Sequence, residues 1–99
     1  MAISRHARLV PRANVTYRSL GDGALLVDLD TGVCWELNRV AAELWQRLSA
    51  GDTVGAASDL IRSHYDVSAE VIDADVARWC DRLVAAGLLQ AIPGESPAP

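Results

Sequence analysis

Residues Ala24 to Leu37 read ALLVDLDTGVCWEL, two short apolar stretches around an Asp-Thr-Gly turn, and this segment limits what the chain can fold into. In the first stretch Leu25, Val27 and Leu29 alternate with Leu26, Asp28 and Asp30, the two-residue period of a half-buried strand. In the second, Val33, Trp35 and Leu37 alternate with Cys34 and Glu36. Upstream, NVTYRSL from Asn14 is rich in β-branched and aromatic residues, and Gly21-Asp22-Gly23 separates it from the first stretch as a hairpin turn would. The pattern predicts three antiparallel strands, and so small a sheet keeps open edges.

Beyond Leu37 the chain reads as helix. Asn38 is placed to cap a first helix in which Ala41, Leu44, Trp45 and Leu48 share a face opposite Arg39, Glu43 and Arg47, and Gly51 closes it. Asp52 or Thr53 starts a second, with Ala57, Leu60, Ile61 and His64 on one face and a propensity weakened by Gly55. Ser68 caps a third, where Glu70 sits at the positive end of the helix dipole and Ile72, Val76, Trp79, Leu83 and Ala86 step along one side. Gly87 ends it and Leu88-Leu89 pack back. The expected class is α+β, a winged helix-turn-helix-like fold with a three-stranded antiparallel sheet followed by three helices. Residues 1–13 read as a flexible basic arm, 14–92 as the single domain and 93–99 (PGESPAP) as a disordered tail.

A chain of 99 residues buries one core, and without Phe its bulk comes from Trp35, Trp45, Trp79, Tyr17, Tyr65 and many Leu and Val. No apolar run approaches the ~20 residues of a membrane span, and MAISRHARLVPR lacks the apolar stretch of a signal peptide, so a cytoplasmic protein with no membrane contact is expected. Cys34 and Cys80 lie far apart without a CxxC partner, which argues for free thiols and against a zinc cluster or redox motif. The net charge of −4 hides an asymmetry: Arg5, Arg8, Arg12 and Arg18 occupy the first twenty residues without an acid, leaving the remainder at −8.

Function classes narrow on the same residues. Where a recognition helix would meet DNA phosphates stand Asp66, Glu70, Asp73 and Asp75 with no Arg, a surface that repels a duplex. There is no phosphate loop, no HExxH and no nucleophile elbow; His6 lies in the arm, His64 ends a helical apolar face, and nothing near Cys34 or Cys80 in sequence suggests activation, so no enzyme and no cofactor are expected. An open strand edge beside an apolar helix can instead accept a peptide as an added strand, and peptide binding is the leading reading.

The segments LLVDLDTGVCWELNRVAAELW and YDVSAEVIDADVARWCDRLVAAGLL resemble the PqqD family, the leader-peptide-binding domains called RiPP recognition elements. The resemblance spans most of residues 14 to 90. It rests on Asp30-Thr31-Gly32 before Trp35, on Leu37-Asn38 and Trp45, then on Tyr65-Asp66-Val67, Asp75-Val76 and Gly87-Leu88-Leu89. The compact form is more similar to the stand-alone lasso-peptide version than to the pyrroloquinoline quinone version. The resemblance implies a noncatalytic domain that binds the leader of a ribosomally made precursor, as a strand added to the third strand and packed on the third helix. A leader-cleaving cysteine protease and an ATP-dependent macrolactam synthetase are the implied partners.

Carried onto this chain, the backbone edge is Val33, Cys34, Trp35, Glu36 and Leu37. Val76, Trp79 and Leu83 would floor an apolar pocket, with Asp75, Arg78 or Arg82 anchoring polar groups. The same stripe of Val76, Trp79 and Leu83 also reads as plain core, and Arg78 and Arg82 as a solvated pair beside Asp75. Two alternatives stand beside the lasso assignment: a PqqD-type leader chaperone for a radical SAM peptide-modifying enzyme, and a winged-helix DNA-binding regulator favoured only by the basic arm.

Overall fold

Residues 4–92 are described by the structure, a computed structural model. In chain order the elements are β1 (Leu9–Pro11), β2 (Val15–Leu20), β3 (Gly23–Asp28), β4 (Cys34–Leu37), α1 (Arg39–Ser49), α2 (Val54–His64), α3 (Ala69–Ala85) and β5 (Leu89–Ala91). Strands β2, β3 and β4 form the antiparallel three-stranded sheet in that order, as the periodicity predicts; α1 packs on β3 and β4, α2 on α1, and α3 on α2 and β5.

The register pairs Tyr17 with Leu26 and Leu26 with Trp35, and Ala24 with Leu37. Because opposite residues in a ladder share a face, Ala24, Leu26, Asp28, Trp35 and Leu37 point toward the helices. Ala24, Leu26 and Leu37 are buried there, whereas Leu29, in the turn just past β3, is 62% exposed. Asp28 tolerates the inward position because its carboxylate accepts hydrogen bonds from Asn14 Nδ2 and from the Asp30 N–H, both at 2.9 Å. Gly23 belongs to β3 rather than to the turn: a Cβ there would lie 2.1 Å from the Leu37 carbonyl oxygen, so only glycine lets the end of β4 close on it.

Each helix starts on a side-chain cap. Asn38, Thr53 and Ser68 accept from the N–H groups of Ala41, Ala56 and Val71 respectively. Leu44, Trp45 and Leu48 of α1, Ala57 and Ile61 of α2, and Ile72, Val76, Cys80 and Leu83 of α3 meet in one core. His64 stays outside it, exposed and paired with Glu43. Gly55 is buried because the chain at Arg5 runs over it, and a Cβ would press on the Arg5 carbonyl oxygen at 3.0 Å.

That crossing corrects the expected flexible arm. Strand β1 pairs antiparallel with β5, setting Leu9 opposite Ala91 and Pro11 opposite Leu89, and the Leu9 side chain is fully buried beside Leu88 and Leu89. Within the described part of the arm, Arg5 binds Asp59 and Asp73, and Arg8 sits in a bridge with Thr53. A run of arginines looked like a solvated arm, yet the apolar Leu9-Val10 between them is a strand whose partner lies at the other end of the chain. The expected tail, 93–99, falls outside the described residues.

Candidate functional site

The outer edge of β4 is where the sheet stops. The N–H of Asp28 donates to the carbonyl of Val33 at 2.9 Å, which makes that pair a hydrogen-bonded one. Bonded and non-bonded pairs alternate along an antiparallel ladder, so Trp35 and Leu37 also turn their main-chain groups toward β3. Cys34 and Glu36 turn theirs to the other side, and no strand among the described residues pairs there. Of the five residues expected along the edge, two therefore offer main-chain donors and acceptors. Val33 precedes β4, is 51% exposed, and gives its carbonyl to the hairpin.

Beside this edge lies a groove walled by α3 and floored by the start of α1. Two hollows of about 190 and 210 Å³ adjoin on either side of Trp79, and both also touch Asn38 and Ala41. The first is lined by Trp35, Glu36, Leu37, Arg82 and Leu83. The second continues past Val40, Leu44, Ile72, Asp75 and Val76. Val76 and Leu83 are core residues that contribute only a surface of the floor, while Trp79 is half-buried and stands between the hollows. Trp45 is wholly core. Larger hollows of about 570 and 520 Å³ near Asp22 and Arg39 are open and of mixed polarity, and Tyr17 lines the second.

The two arginines of α3 separate. Arg78 pairs with Asp75 and lines neither hollow, so its expected place in the groove is not supported by position. Arg82 lines the first hollow. The sequence reading missed Ile72 of α3, read only as core, and Asn38, Val40, Ala41 and Leu44, whose signal was their place: only Asn38 separates β4 from α1, so the first turn of α1 must fall at the foot of the edge. Both cysteines are free. Cys34 is exposed on the outer face of β4, whereas burial, with a smaller contribution from Asp81, pushes the Cys80 thiol up to about 12 and leaves it an inert core group.

Chemically, the arrangement offers a strand edge, an aromatic ridge, one hollow of mixed polarity and one mainly apolar hollow, with Arg82 bordering the first and Asp75 the second. Among the described residues no group of three or more His, Cys, Asp and Glu is placed to hold a metal ion, and no helix is long and apolar enough to cross a membrane.

Comparison with known proteins fits this geometry. Two solved structures share the fold. TbiB1 in complex with the TbiA(beta) leader peptide superposes with a TM-score of 0.77 at 22% identity, over 91% of this chain and 99% of that one. Lasso peptide synthetase B1 complexed with the leader peptide gives 0.78 at 25% identity, over 84% and 98%. No curated protein sequence matches. The family described as Coenzyme PQQ synthesis protein D (PqqD) matches residues 23–89, the stretch from the first residue of β3 to the first of β5. The chain belongs to the PqqD family.

Proposed function

We propose that this protein binds the leader segment of a ribosomally synthesised precursor peptide and holds it for the enzymes of lasso peptide biosynthesis. The leader adds as an antiparallel strand on β4, through the main-chain groups of Cys34 and Glu36, and lays alternate side chains into the hollows flanking Trp79. The observation that carries this reading is the continuity between an unpaired strand edge and an aromatic-walled groove that is mainly apolar at its Val76 end. The leader-bound lasso peptide synthetase B1 at 25% identity supports the ligand class.

Binding is the whole of its role: the partners, a leader-cleaving cysteine protease and an ATP-dependent macrolactam synthetase, do the chemistry in the cytoplasm. Strand addition buries a modest interface and must offset the ordering of a flexible leader, so affinity between roughly tens of nanomolar and micromolar is expected. That range selects a substrate and still lets it pass on.

The test is an isotope-edited NMR titration with a synthetic leader peptide encoded beside this gene. Saturable shifts at the amides of 33–37 and 75–83, with little change in α2, are the expected result. Shifts concentrated at Asp22 and Arg39 would move the site to the opposite hollows. No shifts at near-millimolar peptide would remove the reading.

A further inference from the structure

Arg82 on α3 and Glu36 on β4 both border the first hollow, Glu36 with its side chain on the outer face of the sheet opposite Leu25, and among the described residues neither side chain has an ion-pair or hydrogen-bond partner. Most other arginines are engaged: Arg5 with Asp59 and Asp73, Arg47 with Asp52, Arg62 with Asp59, Arg78 with Asp75. Arg18 also lacks a partner, but it stands opposite Leu25 on the outer face of the sheet, away from the groove. Arg82 is thus the unpaired cation of the groove, beside the half-buried ring of Trp79.

A guanidinium presents a planar fork of donors that fits a carboxylate. A peptide lying over the hollow would also displace water from around Arg82 and strengthen that contact. Arg78 is paired with Asp75 and lines neither hollow. An added strand projects alternate residues to its two faces, so residues on the helix side meet Trp79 and Arg82, and their sequence neighbours lie on the outer face with Glu36. The chain direction is set as well. β4 runs toward Asn38, where the second hollow begins, so an antiparallel peptide crosses the Val76 hollow first and the Arg82 hollow afterwards.

Resting on the leader-binding reading, we infer that Arg82 is a specificity residue. It selects leaders that carry Asp or Glu on the helix side of the added strand, C-terminal to the apolar residue seated in the Val76 hollow. The position next to that acid, opposite Glu36, is basic or neutral.

The experiment measures fluorescence anisotropy of the labelled leader encoded beside this gene, and of variants in which each Asp and Glu is changed in turn to Asn or Gln. Each is titrated into wild-type protein, Arg82→Gln and Arg82→Glu, with circular dichroism confirming that the variants fold. One peptide substitution is expected to weaken wild-type binding about tenfold and to have no further effect on Arg82→Gln. Lys at that peptide position should recover binding to Arg82→Glu. Acid substitutions that weaken wild type and Arg82→Gln by the same factor overturn the inference while leaving leader binding intact, as does a tightly bound leader with no acid in that stretch. Failure of the wild type to bind any of these peptides overturns the leader-binding reading and this inference with it.

Discussion

The guanidinium of Arg5 donates to the carboxylate of Asp73 at 2.8 Å, joining residues 68 positions apart in the chain. The same group reaches Asp59 at 3.0 Å and the Gly55 carbonyl at 3.3 Å, and Ser58 donates its hydroxyl to Asp73. One arginine thereby ties the segment before β1 to α2 and to the first turns of α3, next to Ile72 and Asp75 of the groove.

Arg5→Gln should therefore loosen α3 at its start. The Arg5 side chain is about half exposed, at 47%, so screening holds the cost to about 1 kcal/mol. Urea denaturation is expected to show that loss at low salt and a smaller one in molar salt, with faster amide exchange in residues 69–76. An unchanged midpoint at both salt concentrations would mean the N-terminal segment is held by its main-chain bonds alone.

Asp28 gives the chain an acid-sensitive point. Its carboxyl is held below the usual carboxylate range, first by the Asn14 side-chain donor and then by the Asp30 N–H and Thr31, against the opposing effect of burial. A lowered native pKa means that the unfolded state takes the proton more readily. The stabilisation is complete above the unfolded value of about 3.9 and is lost as pH falls through the native one. Thermal melts should show Asn14→Ala less stable than wild type at pH 7, with the gap closing below about pH 4. A constant gap down to about pH 2.5 would show that Asn14 acts by packing instead.

Much of this architecture was legible in the residues. Asn38 and Ser68 are strong caps, the alternation from Ala24 to Leu37 is local, and the Ile72 to Leu83 stripe is long enough to fix a helix. What was not legible depends on partners distant in sequence. β1 and β5 have three residues each, and their pairing closes a loop of nearly the whole domain. Arg5 looks solvated until Asp59 and Asp73 are brought beneath it. Helical spacing puts Arg78 and Arg82 on one face, and only the side-chain geometry shows Arg78 drawn to Asp75 and Arg82 left in the groove. The buried Asp28 defeats a reading by hydrophobicity, since hydrogen bonds from Asn14 and Asp30 let a carboxylate sit on the inward face beside Ala24 and Leu26.

Trp45 and Trp79 separate the core from the proposed binding groove. Trp45 is 3% exposed, and its truncation to Ala should cost about 3–5 kcal/mol. Trp79 is half-buried at the rim of both hollows, so Trp79→Ala should cost roughly 1–2 kcal/mol in stability and weaken leader binding by about tenfold or more. Affinities measured where each variant is fully folded decide the matter. Equal losses would assign both rings to structural support.

The alternation of main-chain groups along β4 makes a sharper demand on the binding mode. Proline lacks the N–H and is tolerated where that group faces away from the ladder, so Glu36→Pro removes an outward donor while sparing the bonds to β3. Trp35→Pro removes an inward one, opposite Leu26, and should cost about 1–3 kcal/mol in stability. Glu36→Pro is expected to keep stability within about 1 kcal/mol and to lose leader affinity roughly tenfold, beyond any change from Glu36→Ala, which deletes the carboxylate but retains the N–H. Chemical denaturation and anisotropy on the wild type and these three variants supply both readouts. Should Glu36→Pro bind as Glu36→Ala does, the leader occupies the groove by its side chains alone and no strand is added.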